Sequence, residues 1–331
     1  MTRQPAFPAY RLTEQPDGSS IGTLVEMSID ALDEGDLLVQ VHYAGINYKD
    51  ALGGLGRAKV MQRLPCNGGI EAVGVVVASG DPAFREGDEV IVHGRGIGVR
   101  HDGGLAGMLR VPSAWALPLP AGMSARETAI VGVAGHTAAM SIDAMELNGL
   151  DPSRGPVAVT GATGGVASIA IDMLSNRGYE VVAVTRKADA TDYLLGLGAS
   201  RVVAAPDPLA KAKPLESATW AGAIDAAGGP MLAWLLRSMA QHGTVAAFGN
   251  AAGIALNTTV LPFILRGVRL LGINADSDMP LRTRLWLRTA TDLRPSRLDA
   301  IATMIAPTDI GPTMQAMLDG RTRGRHIVSF R

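Results

Sequence analysis

The chain has 331 residues, of which 47% are hydrophobic, and its formal net charge is −1. This length is enough for about two domains, and the balanced charge excludes the basic surface that nucleic-acid binding requires. No apolar run approaches the roughly 18 residues of a membrane-spanning helix, and the N-terminal residues lack the apolar core of a secretion signal, so we expect a cytoplasmic protein.

The cysteine and histidine content argues against a metal site. Cys66 is the only cysteine, so the chain forms no internal disulfide and no thiolate zinc cluster. The histidines lack the H-x-x-x-H or H-E-x-x-H spacing that places two imidazoles on one helix face. They are His42, His93, His101, His136, His242 and His326. We therefore expect no metal ion.

Residues up to about 120 have the pattern of a compact β-rich domain. Apolar, strand-like runs lie at 37–43 and 72–77, and the segment 85–92 places a charged turn ahead of another strand. The segment Pro118–Pro120 marks the end of this region, and a helix is predicted to follow it. Ser124 is its expected N-cap, and Glu127 completes a capping box.

Four polar residues follow the first of these strands: Asn47, Tyr48, Lys49 and Asp50. Polar side chains at a strand exit are candidates for lining an active site. Tyr48 would flank a nicotinamide ring or supply a proton, and Asn47 or Lys49 would donate a hydrogen bond to a substrate carbonyl. The alternative is structural, with Asn47 as a turn residue and Lys49 and Asp50 as an ion pair at a helix start.

The segment 157–168 is the most informative part of the sequence, because an apolar strand leads directly into a glycine-rich turn and a helix. Gly161 and Gly164 let the backbone turn tightly and approach phosphate oxygens, and the helix beginning near Gly165 presents free N–H groups to an anion. Ala167 takes the third small position of the pattern. The segment predicts a dinucleotide site. The alternative is a tight turn that only closes a βα unit.

Cofactor choice depends on the end of the next strand, at 180–185, where an Asp or Glu would bind the adenosine ribose. Thr185, Arg186 and Lys187 stand there instead. A hydroxyl and two cations suit a 2′-phosphate, which a carboxylate would repel, so we expect NADPH in preference to NADH. The alternative is that Arg186 and Lys187 are solvated charges in a loop.

Strand and helix patterns then alternate along the chain. Further apolar strands are predicted at 200–204, 221–225, 243–248 and 268–273, with a helix at 231–240. With the strands at 157–160 and 180–185, they predict an α/β domain with a doubly wound, six-stranded parallel sheet of the Rossmann type.

The tail has a helix pattern at 311–318 and a last strand at 326–330, which we expect to return to the first domain. We therefore predict a dinucleotide-binding domain at 123–293 and a β-rich domain made of 1–122 and 294–331.

Four segments in different parts of the chain share one family pattern. They are N-Y-K-D-A-L at 47–52, G-G-I-E-A-V-G at 68–74, T-G-A-T-G-G-V-A-S at 160–168 and T-T-V-L-P-F-I-L-R-G-V at 258–268. Together they resemble the medium-chain dehydrogenase/reductase superfamily, and within it the acrylyl-CoA reductase and quinone oxidoreductase branch. The resemblance implies a GroES-like catalytic domain joined to a Rossmann domain. It also implies an enzyme without zinc, since Ile70 replaces the zinc-binding histidine and the four-cysteine lobe is missing.

The resemblance also implies a set of cofactor contacts. Tyr48 aligns with a tyrosine that contacts the cofactor, and Arg186 aligns with a ligand of the 2′-phosphate, next to Thr185. The other implied contacts are the phosphate-binding turn at Thr163, Gly164, Gly165 and Val166, a second adenosine-end residue at Arg201, the nicotinamide neighbours Ile273 and Asn274, and Arg325.

The resemblance implies NADPH-dependent reduction of the carbon–carbon double bond of an α,β-unsaturated acyl thioester such as acrylyl-CoA. Hydride would add to the β-carbon, and the enolate would then be protonated at the α-carbon. Without a metal, hydrogen-bond donors must stabilise the enolate oxygen, at about 3–4 kcal/mol each. The candidate donors are Asn47, Tyr48, Lys49 and backbone N–H groups, and the proton comes from Tyr48 or from water.

Two other functions stay open: a quinone or enone oxidoreductase on the same fold, and a non-enzymatic NADPH-binding protein. The substrate is open because the chain departs from the family pattern. The departures are at 94–98 and 101–104, where the family has tryptophans, and after Ile273. The resemblance further implies a homodimer in which the strands at 269–273 of two copies pair.

Overall fold

The structure, a computed structural model, describes residues 6–207 and 213–331. Residues 1–5 of the N-terminal segment considered above therefore lie outside the described residues. The chain divides into two compact units. The first extends to Val133 and also includes Ala302–Arg331, and the second is Ala134–Ile301. These limits lie 11 and 8 residues further along the chain than the expected 122/123 and 293/294.

The elements of the described residues are numbered in chain order. The strands are β1 (Phe7–Glu14), β2 (Ser20–Met27), β3 (Leu37–Ile46), β4 (Cys66–Asn67), β5 (Glu71–Ser79), β6 (Glu89–His93), β7 (Met108–Val111), β8 (Ala116–Pro118), β9 (Val157–Thr160), β10 (Val181–Thr185), β11 (Arg201–Ala204), β12 (Trp220–Asp225), β13 (Met239–Ala247), β14 (Arg269–Gly272), β15 (Ala302–Ile305) and β16 (Arg325–Ser329).

The helices are α1 (Tyr48–Gly54), α2 (Ala125–Leu147), α3 (Gly165–Asn176), α4 (Thr191–Gly196), α5 (Gly229–Ser238), α6 (Leu261–Arg266), α7 (Met279–Ala290), α8 (Leu298–Ile301) and α9 (Ile310–Leu318). In the described part of the chain, none of them combines the length and apolar character needed to cross a membrane.

The first unit consists mainly of antiparallel strands. Its smaller sheet has the order β2-β1-β4, and its larger sheet has the order β15-β16-β3-β5-β6-β8, with β7 also paired to β3. Leu37, Val39 and Val41 alternate inward along β3 and are buried, as the period of two in a strand requires. β16 comes from the C-terminal tail and pairs with β3, which places Arg325 one residue before the partner of Ile46.

The second unit contains the parallel sheet. Its order is β11-β10-β9-β12-β13-β14, and every neighbouring pair is parallel. β9 and β10 are buried at every position, because the two faces of the sheet belong to separate apolar clusters. Val157 and Val159 belong to one cluster and Ala158 to the other. This architecture confirms the predicted doubly wound sheet of six strands.

Parallel strands place all their carboxyl ends at one edge of a sheet. The strand order reverses direction between β9 and β12, and ligands of such sheets bind at the carboxyl edge next to this reversal. β14 is the last strand of the order, so its outer side has no strand partner among the described residues.

Helix α2 begins with the predicted capping box. The Ser124 N–H donates to Glu127 Oε2 at 2.8 Å, and the Glu127 N–H donates to Ser124 Oγ at 3.2 Å, which confirms the prediction. Gly132 interrupts the helix with φ 45° and ψ −151°. Residues other than glycine rarely adopt this backbone conformation, because it is strained for any residue with a Cβ. The limit between the two units follows directly after this break.

Candidate functional site

The glycine-rich turn lies between β9 and α3, at the carboxyl edge of the parallel sheet. Gly161 has a φ of 58°, and Gly164 is the N-cap of α3. The N–H groups of Gly165 and Val166 lie in the first turn of the helix and have no carbonyl acceptor among the described residues. With the buried Thr163 beside them, they present partial positive charge to an anion. The turn therefore has the local form of a phosphate site.

The segment after β10 is basic and lies at the same edge. Thr185 ends β10, and its Oγ1 accepts the Lys187 N–H at 3.0 Å, which fixes the backbone at the strand exit. Arg186 is exposed and makes no hydrogen bond or ion pair to any residue that the structure describes. Its guanidinium is therefore available to an incoming anion.

Arg201 lies at the opposite edge of the sheet. It pairs with Val182 and Ala204 pairs with Thr185, so Arg201 lies beside the start of β10, three residues before Thr185. Three residues of strand span about 10 Å. The Arg201 Nε lies 3.7 Å from Glu180 Oε1. The structure therefore does not bring Arg201 to the other expected cofactor residues, because the direction of β11 places it at the amino edge.

A buried hydrogen bond joins the end of β9 to the end of β12. Asp225 accepts from Thr160 Oγ1 at 2.6 Å and from the Gly228 N–H at 2.8 Å. Burial raises the pKa of Asp225. Because Thr160 directly precedes Gly161, the bond ties the glycine turn to the loop after β12. Our sequence interpretation missed this pair, although a carboxylate at the end of a buried apolar strand was a usable signal.

An open pocket of about 430 Å³ lies at the carboxyl ends of β13 and β14. It is lined by Ala247, Phe248, Gly249, Gly272, Ile273 and Asn274. The Ile273 N–H donates to the Ala247 carbonyl at 2.9 Å, and Asn274 Oδ1 accepts the Asp276 N–H at 3.1 Å. The two residues expected beside the nicotinamide thus line one pocket, at the same edge as the glycine turn.

In the first unit, the polar segment forms the start of α1. Asn47 is the N-cap, Tyr48 is 40% exposed, and Lys49 is also exposed. Lys49 makes no ion pair with the described residues. Asp50 is buried instead, and its carboxylate accepts the N–H groups of Asn47 at 2.8 Å and Ile70 at 3.1 Å. Lys49 and Asp50 therefore do not form the ion pair of the structural alternative.

Arg325 and Glu71 form a buried ion pair through Nη2 and Oε1. Arg325 also donates to Asn47 Oδ1 at 2.9 Å and to the Ile130 carbonyl at 3.0 Å. The Asn47 Nδ2 donates to Glu71 Oε1 at 3.1 Å and to the Gly45 carbonyl at 3.3 Å. Both hydrogens and the oxygen of the Asn47 amide therefore have partners within the protein.

This network bears on two expected roles. The Asn47 amide has no free donor left for a substrate carbonyl, since Glu71 and Gly45 accept both of its hydrogens. Arg325, expected to contact the cofactor, is 2% exposed and binds protein groups. Tyr48 and Lys49 are the expected donors that the structure leaves exposed.

Glycines allow the ion pair to form. A Cβ at Gly45 would collide with the Arg325 guanidinium and the Glu71 carboxylate. A Cβ at Gly132 would lie 2.8 Å from Arg325 Nη2 and would also collide with Glu71 Oε2, which accepts the Val133 N–H. The break in α2 therefore exposes one backbone N–H to Glu71 and leaves room for its carboxylate.

Asp50 is the strongly perturbed carboxyl group of this cluster. Burial raises its pKa to about 7; the nearby Glu71 charge raises it as well, and the Asn47 N–H opposes the shift. Sequence reasoning did not assign Glu71 a role, and it considered Asp50 only in the structural alternative, as the ion-pair partner of Lys49. The signal for Glu71 was a carboxylate that begins an otherwise apolar strand.

The cluster offers little to a metal ion. Within residues 6–207 and 213–331, no group of three or more His, Cys, Asp or Glu side chains is placed to hold one. Ile70 supplies no donor atom in its side chain, and Asn47 is fully hydrogen-bonded.

Comparisons with known proteins agree with this arrangement. Residues 33–121 match the alcohol dehydrogenase GroES-like domain, and residues 165–286 match the zinc-binding dehydrogenase family. The chain is 42% identical to the putative quinone oxidoreductase YhfP of Bacillus subtilis, over 98% of this chain and 99% of that protein. It is 41% identical to the probable acrylyl-CoA reductase AcuI of Escherichia coli, over 96% of this chain and 98% of that protein.

Similar solved structures carry a bound dinucleotide. One is the yhdH oxidoreductase from Salmonella enterica in complex with NADP, with a TM-score of 0.94, 41% identity and coverage of 98% of this chain and 100% of that chain. Another is Bacillus subtilis yhfP with NAD bound, with the same TM-score, identity and coverages. These matches confirm the predicted combination of a GroES-like domain with a Rossmann-type sheet.

Proposed function

The chain belongs to the zinc-free branch of the medium-chain dehydrogenase/reductase family, and on this basis we propose that it uses NADPH to reduce the carbon–carbon double bond of an α,β-unsaturated acyl thioester. The similarity to a probable acrylyl-CoA reductase over nearly the whole chain supports this substrate class. The NADP complex of a relative at 41% identity supports the cofactor.

The layout of the carboxyl edge in the second unit carries the proposal. Along the strand order, this edge presents Arg186 after β10, the turn at 163–166 after β9, and the pocket with Ile273 and Asn274 after β13 and β14. Strands lie about 4.8 Å apart, so the distance from β10 to β14 is about 19 Å. A cation, a row of free N–H groups and a partly apolar pocket, in that order, suit a 2′-phosphate, a pyrophosphate and a nicotinamide.

Arg186 gives NADPH its advantage over NADH. It is an exposed guanidinium without a partner among the described residues, and guanidinium groups bind phosphate through paired, charge-assisted hydrogen bonds. The NAD-bound structure of a relative shows that both dinucleotides occur on this fold. The basic segment after β10 therefore supports the choice of NADPH in this chain.

NADPH, when bound, supplies the hydride that adds to the β-carbon of the substrate. The protein must then stabilise the enolate oxygen and protonate the α-carbon. Lys49 and Tyr48 are the exposed donors of the first unit, so we assign enolate stabilisation to them and not to Asn47. The proton comes from the Tyr48 hydroxyl or from water. The Glu71–Arg325 pair holds Asn47, which caps the helix that presents both donors.

The cofactor assignment is tested with two arginines on neighbouring strands. Arg186→Ala is expected to raise the KM for NADPH by about tenfold to a hundredfold and to leave the KM for NADH nearly unchanged, because only NADPH carries the 2′-phosphate. Arg201→Ala is the control, since Arg201 lies at the amino edge. Equal effects of the two variants on NADPH, or equal effects of Arg186→Ala on both cofactors, would contradict the assignment.

The donor assignment is tested with two exposed lysines of the first unit. Lys49→Met is expected to lower kcat about a hundredfold with acrylyl-CoA, the usual effect of removing one donor to an oxyanion. Lys59→Met is the control and is expected to retain full activity. If the two variants had the same kcat, Lys49 would have no part in stabilising the enolate.

A second candidate function is reduction of quinones or simple enones, favoured by the 42% identity to a putative quinone oxidoreductase. Comparison of kcat/KM for acrylyl-CoA, benzoquinone and an enone, each with NADPH, distinguishes the two. We expect the highest value for acrylyl-CoA. A higher value for benzoquinone would establish the second candidate. Tight NADPH binding without turnover of any of them would indicate a non-enzymatic role.

We also propose a homodimer paired through β14 and a cytoplasmic location. β14 has a free outer side among the described strands, which supports the pairing. Sedimentation of the purified protein and of a Leu270→Pro variant tests the dimer, because proline removes a ladder donor from β14. A wild-type monomer at micromolar concentration would contradict it. The location is tested by fractionation of cells that express the protein.

A further inference from the structure

Arg282, on α7, is completely buried beside the loop that follows β14, residues 274–278. Its Nη2 donates to the Ser277 carbonyl at 3.1 Å and lies 3.4 Å from Asp276 Oδ1. The side chain of Asp276 is 53% exposed, so water screens much of its charge. The guanidinium thus binds the backbone of this loop from inside the protein.

His136, on α2, binds the same loop from a second element. Its Nε2 is 3.2 Å from Ser277 Oγ, and its ring stacks on Trp286 with centroids 6.3 Å apart. Burial, together with the charge of Arg282, lowers the pKa of His136 to about 3. The imidazole therefore stays neutral at ordinary pH, and its bond to Ser277 does not introduce a second buried cation.

Residues of loop 274–278 are hydrogen-bonded to the lining of the pocket. Asp276, beside Arg282, donates its N–H to Asn274 Oδ1 at 3.1 Å. Asn274 and Ile273 line the pocket at the ends of β13 and β14. A short path of contacts therefore leads from Arg282 to the two residues that our proposed function places beside the nicotinamide.

The burial of the Arg282 guanidinium is weak evidence for a role in fold stability. Removing a guanidinium from water is unfavourable, and replacing a buried ionic group by an apolar side chain of similar volume is often neutral or stabilising. Groups that lower stability in this way are typical of positions where function requires a fixed geometry. The buried guanidinium is therefore better explained by the loop that it holds.

We propose that Arg282 and His136 are positioning residues. Their bonds to Ser277 fix loop 274–278, and the fixed loop keeps Ile273 and Asn274 in place as the lining of the cofactor pocket. This inference rests on the proposed function, since it assumes that the pocket receives the nicotinamide end of NADPH. Neither residue contacts the cofactor. Their effect is exerted through Ser277 and Asp276.

The test compares two arginines of the same helix, Arg282→Met and Arg284→Met. Arg284 is 46% exposed and binds both oxygens of Asp143, so it is a matched control for loss of charge on α7. Amide hydrogen exchange of loop 274–278 is measured without cofactor, and the Kd for NADPH is measured by fluorescence titration. Urea unfolding of each variant gives the stability.

Arg282→Met is expected to speed exchange in the loop and to weaken NADPH binding, each about tenfold, while the urea midpoint stays the same or rises. Arg284→Met is expected to change neither the loop nor the Kd. Arg282→Lys keeps a cation that reaches the Ser277 carbonyl and is expected to restore part of the affinity. Ser277→Ala, which removes the bond to His136, is expected to have a smaller effect in the same direction.

Three outcomes would overturn the proposal. Unchanged exchange in Arg282→Met would show that Arg282 does not hold the loop. Faster exchange with an unchanged Kd would show that the loop does not shape the cofactor pocket. A lower urea midpoint, together with equal loss of affinity in both methionine variants, would show a general structural role. If the wild-type protein itself failed to bind NADPH, the proposed function would fail, and this inference would fail with it.

Discussion

The break in α2 gives a prediction whose magnitude follows from the structure: Gly132→Ala destabilises the protein more than an ordinary glycine substitution does. Gly132 has φ 45° and ψ −151°, and holding alanine in such a region costs about 1–3 kcal/mol. The new methyl group also collides with the Glu71 carboxylate, which accepts the Val133 N–H. Losing that charged hydrogen bond costs about 1.5–3 kcal/mol.

The collision is costly because Glu71 is not free to move. A carboxylate at the end of a flexible side chain normally swings away from a methyl group, but here Arg325 and Asn47 bind it and the residue is buried. Any displacement that relieves the contact weakens the ion pair. We therefore expect Gly132→Ala to lower the free energy of unfolding by about 2.5–6 kcal/mol in total.

The measurement is urea unfolding at neutral pH, compared with Gly87→Ala as the control. Gly87 lies in the same unit with a φ of 93°, and a Cβ there meets no atom within 4 Å. Its replacement by alanine is expected to lower the free energy of unfolding only through the strain of the left-handed backbone, by about 1–2 kcal/mol. If both substitutions lowered the free energy of unfolding by the same amount, the close approach of Gly132 to the ion pair would contribute nothing to the cost of Gly132→Ala.

Three further predictions concern titration and charge. Because burial raises the pKa of Asp50 to about 7, above its value in the unfolded chain, the free energy of unfolding falls as pH rises from about 4 to about 7. Asp50→Asn is expected to flatten this dependence in urea unfolding, and an unchanged slope would contradict it. Burial raises the pKa of Cys66 to about 12, so this thiol is expected to react with a disulfide reagent only after unfolding. Rapid labelling of the native protein at about pH 8 would refute that expectation. Asp143→Ala removes the acceptor of hydrogen bonds from Arg284 and Arg288 at 2.6–2.9 Å and is expected to lower the free energy of unfolding by ~1–2 kcal/mol, less in high salt. Equal stability of variant and wild type in low salt would contradict it.

The cofactor-binding unit was largely predictable, because its signals are short-range. The glycine turn, the apolar strands and the basic segment at 185–187 each depend on residues within a few positions of one another. A parallel arrangement then places every strand exit at one edge. Arg201 shows where this reasoning stops. The family resemblance implied that it contacts the adenosine end, but its position at the start of β11 puts it at the other edge.

Only some residues of the polar cluster in the first unit could be predicted from the sequence. Residues 47–50 stood out by composition, yet which of them is a free donor depends on Glu71 and Arg325. Those two residues are 254 positions apart and meet because β16 returns to β3. Packing of this kind has no local signature, since any buried strand presents a similar pattern.

Short-range pattern was thus sufficient for the two-domain class, the dinucleotide turn and the preference for a phosphorylated cofactor. Long-range packing settled that the Asn47 amide is fully bonded, that Arg325 is an internal partner of Glu71, and that Arg282 bonds to the backbone of the loop beside the pocket. The physical reason is that turns and periodicity reflect local backbone preference, whereas the availability of a polar group depends on every neighbour that the fold brings to it.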